Sequence, residues 1–459
     1  MRKLALPFII LALLLTGAGC FGGSDVQINP VTLEYWRMDD PTEALSSAIA
    51  AYTKLHPNVT INVRSFRADE YETALLEAIA EDRGPDMFSI PNVWLAGWKE
   101  KILPMPDKTI VPSQVVTADK KIVAANLESG TMTKLELIND YVEAVVDDVV
   151  MLTTVTERGQ TAEEKIWGLP FSCDTMAMFY NADLLRQADI DKPPATWKDL
   201  QDHVKKLTIL DEDDGIRQSG AAIGTAQNVR YHTELLTTIM MQNGAEMIDS
   251  NGYARFDRYT PDTQDRAYPP GVQALIFYQG FGRSGMSTYT WDNSLPDSLD
   301  AFIAGKTAFY FGFPFDRKEI RNLAPRLNFE VAVMPQVDPS RVRNNAKYPV
   351  ETVSKKTSHP NEAWDFILFA ASEEQVTGYL QATGRPTALR NLIDDQLQDP
   401  DAAPFVSQLL TAESWYRGKD YSKVEAAFAE MIETYPTARE PDYTPIVSEA
   451  ASVVNATLR

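Results

Sequence analysis

Histidine, cysteine and positive charge are all scarce in this 459-residue chain, which has 4 His, 2 Cys, and 43 Lys and Arg against 64 Asp and Glu. Two cysteines build neither a disulfide framework nor a cysteine-based zinc site. The histidines His56, His203, His232 and His359 are scattered, with no H-E-x-x-H and no i, i+4 pair. A net charge of −21 argues against nucleic acid as a partner, because that binding rests on cations neutralising phosphates. It equally disfavours broad attachment to anionic lipid. There is no G-x-S-x-G elbow, P-loop or G-x-G-x-x-G. The acidic turn DEDDG (Asp211 to Gly215) misses calcium-loop spacing and reads as a solvated turn. No metal and no cofactor is therefore expected. Carboxylates are plentiful, so counting alone does not exclude the acid pair of a glycosidase, but nothing singles out such a pair. What the chain does have is a core: 44% hydrophobic and 23% charged residues support two or three domains and exclude global disorder.

Long apolar runs are also lacking, with one exception at the start. Arg2 and Lys3 precede the run Leu4 to Leu15, interrupted by Pro7, followed by TGAG and Cys20. The run is short for a bilayer span, and its order of basic, apolar and small residues is that of a secretory signal. A cysteine directly after the small residues resembles a bacterial lipoprotein signal, which implies removal of residues 1–19 and lipidation of Cys20. Gly17 departs from that pattern, since leucine is commonest three before the cysteine. The alternatives are ordinary cleavage near Cys20 or a retained anchor. Residues 20–30 read as a tether of small and polar residues, holding the body on the outer side of a membrane. Cys173 is then a free, buried thiol.

Strand and helix patterns alternate through the body. VTLEYW (Val31 to Trp36) and VTINVRSF have strand character, with helix patterns over Thr42 to Leu55 and Asp69 to Glu81 and a third strand in PDMFSI (Pro85 to Ile90). This alternation argues for an open, largely parallel α/β sheet, whose ligands sit beyond the carboxyl ends of strands, here Arg37 to Asp39 and Pro91 to Trp94. Leu103 to Glu164 reads as mostly helical and charged, an elaboration on the first domain. Further strands are expected in TAFYFGF, FEVAVMP and YPVETVS, with helices over Tyr231 to Asn243, Gly271 to Phe281 and Asn361 to Ser372.

The ordered set of local motifs resembles one family. It comprises Trp36 ending the first strand, GPD at Gly84 to Asp86, Trp94, LP at Leu103, WGLPFSCDTMAMFYNADLL and PPATWKDL. Then follow FIAGKTAFYFGFPF, LNFEVAVMPQ, EAWDFILFAASEEQ and GRPT at Gly384. Each is weak singly; in order, over Val31 to Glu449, they look like the extracellular solute-binding lipoproteins of ATP-driven importers, in the carbohydrate-binding group that includes maltose-binding protein. Two features depart from the family: the long Leu103 to Glu164 segment, and a chain end soon after the helix start at Pro441, where relatives usually carry another helix. The first suggests a partner surface, the second a truncation or a smaller second domain.

The resemblance implies a two-lobed α/β fold of the periplasmic-binding-protein type, each lobe a mostly parallel sheet flanked by helices. The first lobe is placed at 31–174 plus 351–397 and the second at 175–350 plus 398–459. Crossings are expected near Asp174 to Met178, near Tyr348 to Val353 and around Leu397. It implies a monomer that closes on a carbohydrate or similar polar solute and passes it to ABC permease subunits, without catalysis. The alternatives are another polar ligand such as a polyol phosphate or peptide, a surface glycosidase, and an adhesive lipoprotein that delivers nothing.

Sugars combine hydroxyls with C–H faces and suit aromatic platforms beside hydrogen-bonding groups. The candidates on the first lobe are Trp94 and Asn92 beyond the third strand, Asp174 at a crossing, and Arg37 with Asp39 at the end of the first strand. Packing of Trp94 with Trp98, a hinge-capping role for Asp174, and an exposed ion pair of Arg37 and Asp39 are the competing readings. On the second lobe they are Asn228 and Tyr231 at a helix start, Trp291 in a polar loop, and Phe313 with Phe315 in FGFPF, where relatives often stack an aromatic on sugar. Helix capping by Asn228 and ordinary packing of the aromatics compete. Tyr348 and Arg385 complete the set.

Overall fold

The computed structural model describes residues 28–116, 122–154, 161–213, 215–436 and 442–459. The expected signal at 1–19 and the expected lipidation at Cys20 lie outside them. Among the described residues no helix is long and apolar enough to cross a membrane.

Strand alternation begins the first lobe. In Val31–Met38 the side chains of Val31, Leu33, Tyr35 and Arg37 turn inward, so the fourth inward position carries a charge. This strand pairs in parallel with Val59–Phe66, from Val31↔Val59 to Met38↔Phe66. The sheet order is Val59–Phe66, Val31–Met38, Met87–Pro91, Pro349–Ser354 and Ile102–Leu103. Helices Ser46–Leu55, Ala68–Ala80, Pro360–Ala370 and Glu373–Thr383 add Tyr52, Leu75, Phe366 and Leu380 to its core.

The second lobe is built around Thr307–Gly312, all six residues of which are buried, as in a strand covered on both faces. Its sheet runs Ile209–Leu210, Ile216–Ala221, Thr307–Gly312, Ala177–Asn181 and Phe329–Ala332. Helices His232–Gln242, Pro270–Gln279, Tyr421–Glu433 and Thr444–Thr457 supply Leu236, Leu275, Phe428 and Val454.

Both sheets are mixed rather than mostly parallel, and an interior antiparallel strand in each, fourth of five, has the same origin. Pro349 lies opposite Pro91 and Ala177 opposite Gly312, so Pro349–Ser354 and Ala177–Asn181 each start where a neighbour ends. Each is entered directly from the other lobe. The neighbouring strands end at the lobe boundary, and a strand that starts there has to run back.

Packing locates the crossings. Cys173 belongs to the first core and Met176 to the second; Met334 to the second and Ala346 to the first; Ala412 to the first and Trp415 to the second. Leu397, the expected third crossing, packs against the first core, so the last change of side comes at 412–415. The crossing segments form a ribbon: Thr175 bridges Ala346, and Asn344–Asn345 pairs in parallel with Ala412–Glu413.

The elaboration in Leu103 to Glu164 differs from the helical expectation. Lys108–Val116 and Ile122–Gly130 form an antiparallel hairpin, followed by the short helices Lys134–Asp140 and Glu143–Val149. Thr109, Val111 and Ser113 are buried at strand spacing. Thr109 donates to Asp365 Oδ1 (3.0 Å) and the Ile110 amide to Asn361 Oδ1 (3.2 Å), docking the hairpin on Pro360–Ala370. The β-branched residues of KTIVPSQVV carried that signal; the surrounding charge obscured it.

Candidate functional site

The parallel strands of the first lobe end at the lobe boundary, and the chain after Met38 turns sharply there. Asp39 has φ 56°, and its Oδ1 accepts from the Ala68 amide (3.0 Å) at the start of Ala68–Ala80. Burial raises its pKa. Asp40 turns back into the protein and receives Arg385 Nε (3.1 Å), Arg37 (2.9 Å) and the Tyr379 hydroxyl (2.7 Å). Burial works against its charge, yet Arg385 and Arg37 outweigh that and hold the carboxyl below the usual range.

Arg385 also pairs with Asp174 on the first crossing. Burial pushes Asp174 up to about 6 against the pull of Arg385. Its Oδ1 has no hydrogen-bond partner among the described residues. The Arg385 guanidinium lies 5.4 Å from the ring centroid of Phe315, a second-lobe residue 37% exposed. Phe315 stacks on buried Phe313 (5.8 Å, 11°), and Tyr231 meets both edge-on. The Tyr231 hydroxyl donates to Asp316 (3.0 Å), which also accepts from Tyr310 (2.9 Å) and from the Phe313 amide (2.9 Å). Burial raises Asp316 to about 6.

Asp174, Tyr231, Phe313, Phe315 and Arg385 therefore meet where the lobes face one another, with Asp39 within electrostatic reach of Arg385. The other candidates lie elsewhere. Arg37 is 2% exposed, ion-paired to Glu351 (2.9 Å) and caged by Tyr35, Phe171 and Tyr379 within the first lobe, not in an exposed pair. Asn228 donates to the carbonyls of Asp292 and Leu295 and accepts from Trp291 Nε1 (2.9 Å). Trp291 is fully buried, so these two satisfy each other inside the second lobe. Asn92 donates to Asp148 and Ser414 (2.9 Å each), and the Tyr348 hydroxyl donates to Asp148 (2.7 Å); both belong to a clasp at the crossings. Trp94 is half-buried, stacked on Trp98 (5.9 Å, 10°), and touches both cores.

Sequence reasoning missed a second polar group between the lobes. Lys347, beside the second crossing, pairs with Glu234, which also accepts from the Tyr421 hydroxyl (3.2 Å). Burial, Glu234 and Glu72 together push Glu425 up to about 7. Glu72 comes from the first lobe, and its pKa is raised by burial and by Asp420 of the second. The lobes also touch at Gly97, where a Cβ would collide with the Lys419 carbonyl. The GKD turn that supplies Lys419 carried no motif in the sequence.

Residues 38–377 match the model of the bacterial extracellular solute-binding proteins. A binding protein of Brucella abortus is 26% identical over 48% of this chain and 50% of its own, so this chain spans about half the length of that relative. The galactooligosaccharide-binding protein of Bacillus subtilis is 20% identical, over 82% of this chain and 77% of that one. Among solved structures, an ABC transporter solute-binding protein of Thermotoga lettingae bound with α-D-tagatose superposes with a TM-score of 0.66 at 18% identity, covering 94% of this chain and 100% of that one. That likeness extends to the two-lobed arrangement, and the family match spans both lobes: the chain belongs to the bacterial extracellular solute-binding protein family.

Proposed function

We propose that this protein captures a carbohydrate or closely related polar solute between its lobes and hands it to an ABC permease. The observation that carries the reading is the meeting of Phe315 and Arg385. An aromatic face from one lobe lies under a guanidinium from the other, with the carboxylates of Asp174 and Asp39 close by. An aromatic ring suits the C–H face of a sugar, and charged hydrogen-bonding groups suit its hydroxyls. The relatives that bind galactooligosaccharide or hold tagatose support the same class. Lipidation at Cys20 would keep the body at the membrane beside its permease.

A glycosidase reading draws on Asp174 and Asp316, which interact across the lobe boundary and both have raised pKa values. Asp316, however, is fully buried and already accepts three hydrogen bonds. That leaves it poorly placed to pass a proton, and we assign the site to binding without turnover.

A thermal-shift screen of the mature body against mono- and oligosaccharides, polyols, amino acids and peptides tests this. Ligand at 100 times its Kd stabilises by about 2.7 kcal/mol. The expected result is one responsive sugar class with no product formed, and a loss of roughly 10- to 100-fold in affinity in Phe315→Ala, or about 1.4–2.8 kcal/mol. A flat response to every carbohydrate overturns the assignment.

A further inference from the structure

The turn before Tyr421–Glu433 rests on the first lobe. The Lys419 carbonyl meets Gly97 there, while the Lys419 amide donates to the Thr457 carbonyl (2.8 Å) and so moves with the second lobe. Four carboxylates gather around this contact: Glu72 on Ala68–Ala80 of the first lobe, and Asp420, Glu425 and Glu234 on the second.

Two of the four are matched by a cation. Asp420 pairs with Lys423 (2.8 Å) and caps its helix by accepting from the Lys423 amide (3.2 Å). Glu234 pairs with Lys347 and accepts from the Tyr421 hydroxyl (3.2 Å). Glu72 and Glu425 are half-buried, and neither has a hydrogen bond or an ion pair among the described residues. The groups that act on Glu425 are Glu234 of His232–Gln242, Lys347 beside the second crossing, and Glu72 across the boundary. Of the other helices packed on Tyr421–Glu433, Pro270–Gln279 carries no charged residue and Thr444–Thr457 carries only exposed Glu449. Glu72 in turn faces Asp420 across the boundary and Lys101 of its own lobe, which lies over Trp98 (5.2 Å).

With the lobes apart, Glu425 would lose Glu72 and gain water, and both changes favour its charge. With the lobes together, burial first, then Glu234 and Glu72, push its carboxyl up to about 7. A proton held in the closed form and released in the open one favours closure at low pH, and that advantage is lost as the pH rises through about 7. We propose that Glu425 and Glu72 form a proton-operated catch between the lobes, so that closure takes up a proton at Glu425. Its effect on affinity rests on the capture of solute between the lobes, whereas closure itself is measured without a solute.

Spin labels at Thr73→Cys and Ser422→Cys, exposed neighbours of the two carboxylates on opposite lobes, report closure in the mature body with no solute added. Lowering the pH from 8 to 6.5 should raise the ratio of the short to the long label distance about threefold. Glu425→Gln should show the pH 6.5 distribution at both values, and Glu72→Gln, on the other lobe, should cut the shift at least by half. Asp174→Asn should keep the shift, which separates the catch from the other raised carboxyl at the boundary. Once a solute is identified, its affinity should rise about threefold over the same range, with uptake of about half a proton at pH 7 in calorimetry across buffers of differing ionisation enthalpy. A label distance independent of pH, or a pH response that survives Glu425→Gln, overturns the proposal; failure of the sugar screen alone bears on the cargo and not on the catch.

Discussion

Two buried arginines share Asp40, yet they are held differently. Arg37 points into the first lobe, where Glu351 accepts from it at 2.9 Å and three aromatic rings of the same lobe surround it. Arg385 takes its other partners from the lobe boundary: Asp174 on a crossing and Phe315 on the opposite lobe. One charge is part of a single core, so its environment is fixed once that core folds. The other has half its environment on a body that moves when the lobes hinge, the motion known in binding proteins of this kind. The difference separates charges that specify the fold from charges that register lobe position, although both are almost completely buried.

The comparison breaks most sharply at Arg37. Arg37→Met leaves buried Glu351 and Asp40 without this shared cation, and should cost about 3–5 kcal/mol in denaturant unfolding, with unchanged solute affinity in the protein that still folds. An equal loss of affinity would place Arg37 among the boundary charges instead.

A pH series sharpens the other side. Burial holds the folded-state pKa of Asp174 at about 6, above the ordinary value of 3.8 for a free aspartate. Its protonated form therefore favours the native state fully below about pH 4, and that contribution is lost as the pH rises through about 6. Asp40, held low, acts in the opposite sense and loses its contribution as the pH falls. Between about pH 4 and 6, Asp174→Asn should flatten the decline in stability by about 2–3 kcal/mol relative to wild type. An unchanged slope would mean that Asp174 is charged in the folded protein throughout.

The smallest effect is expected at Gly97. Gly97→Ala places a methyl against the Lys419 carbonyl of the other lobe, and should weaken solute binding by about tenfold, roughly 1.4 kcal/mol, through a penalty on the closed state. Unfolding of the variant should otherwise resemble wild type. A variant with wild-type affinity would show that closure does not bring these groups together.

How far the sequence could be read follows the same division. Elements with strong periodicity were legible, such as Val59–Phe66, which matches VTINVRSF residue for residue. The hairpin was not, because only one face of its first strand is buried over 108–113 and the second strand is exposed over Val123 to Gly130 except at half-buried Ala125. Of the candidate ligand residues, Phe315 and Arg385 meet at the lobe boundary, in the motifs FGFPF and GRPT that nominated them. The burial of Trp291 could not be read, since a polar loop that folds over its own tryptophan and ties it to half-buried Asn228 looks in sequence like one that displays it. Lys347, Glu234 and Glu425 were invisible for a further reason: no local pattern signals a pairing between residues more than a hundred positions apart.

The ribbon of crossings also orders events in time. The first core contains both Leu33 and Leu409, with the strands of the second sheet inserted between them. The lobe whose synthesis begins first therefore cannot be finished until most of the chain exists. Contacts over such separations form slowly, because long loops must close before they are rewarded. A nascent chain of this kind stays unfinished for longer, and a chain still unfolded is the form that a secretion channel can thread.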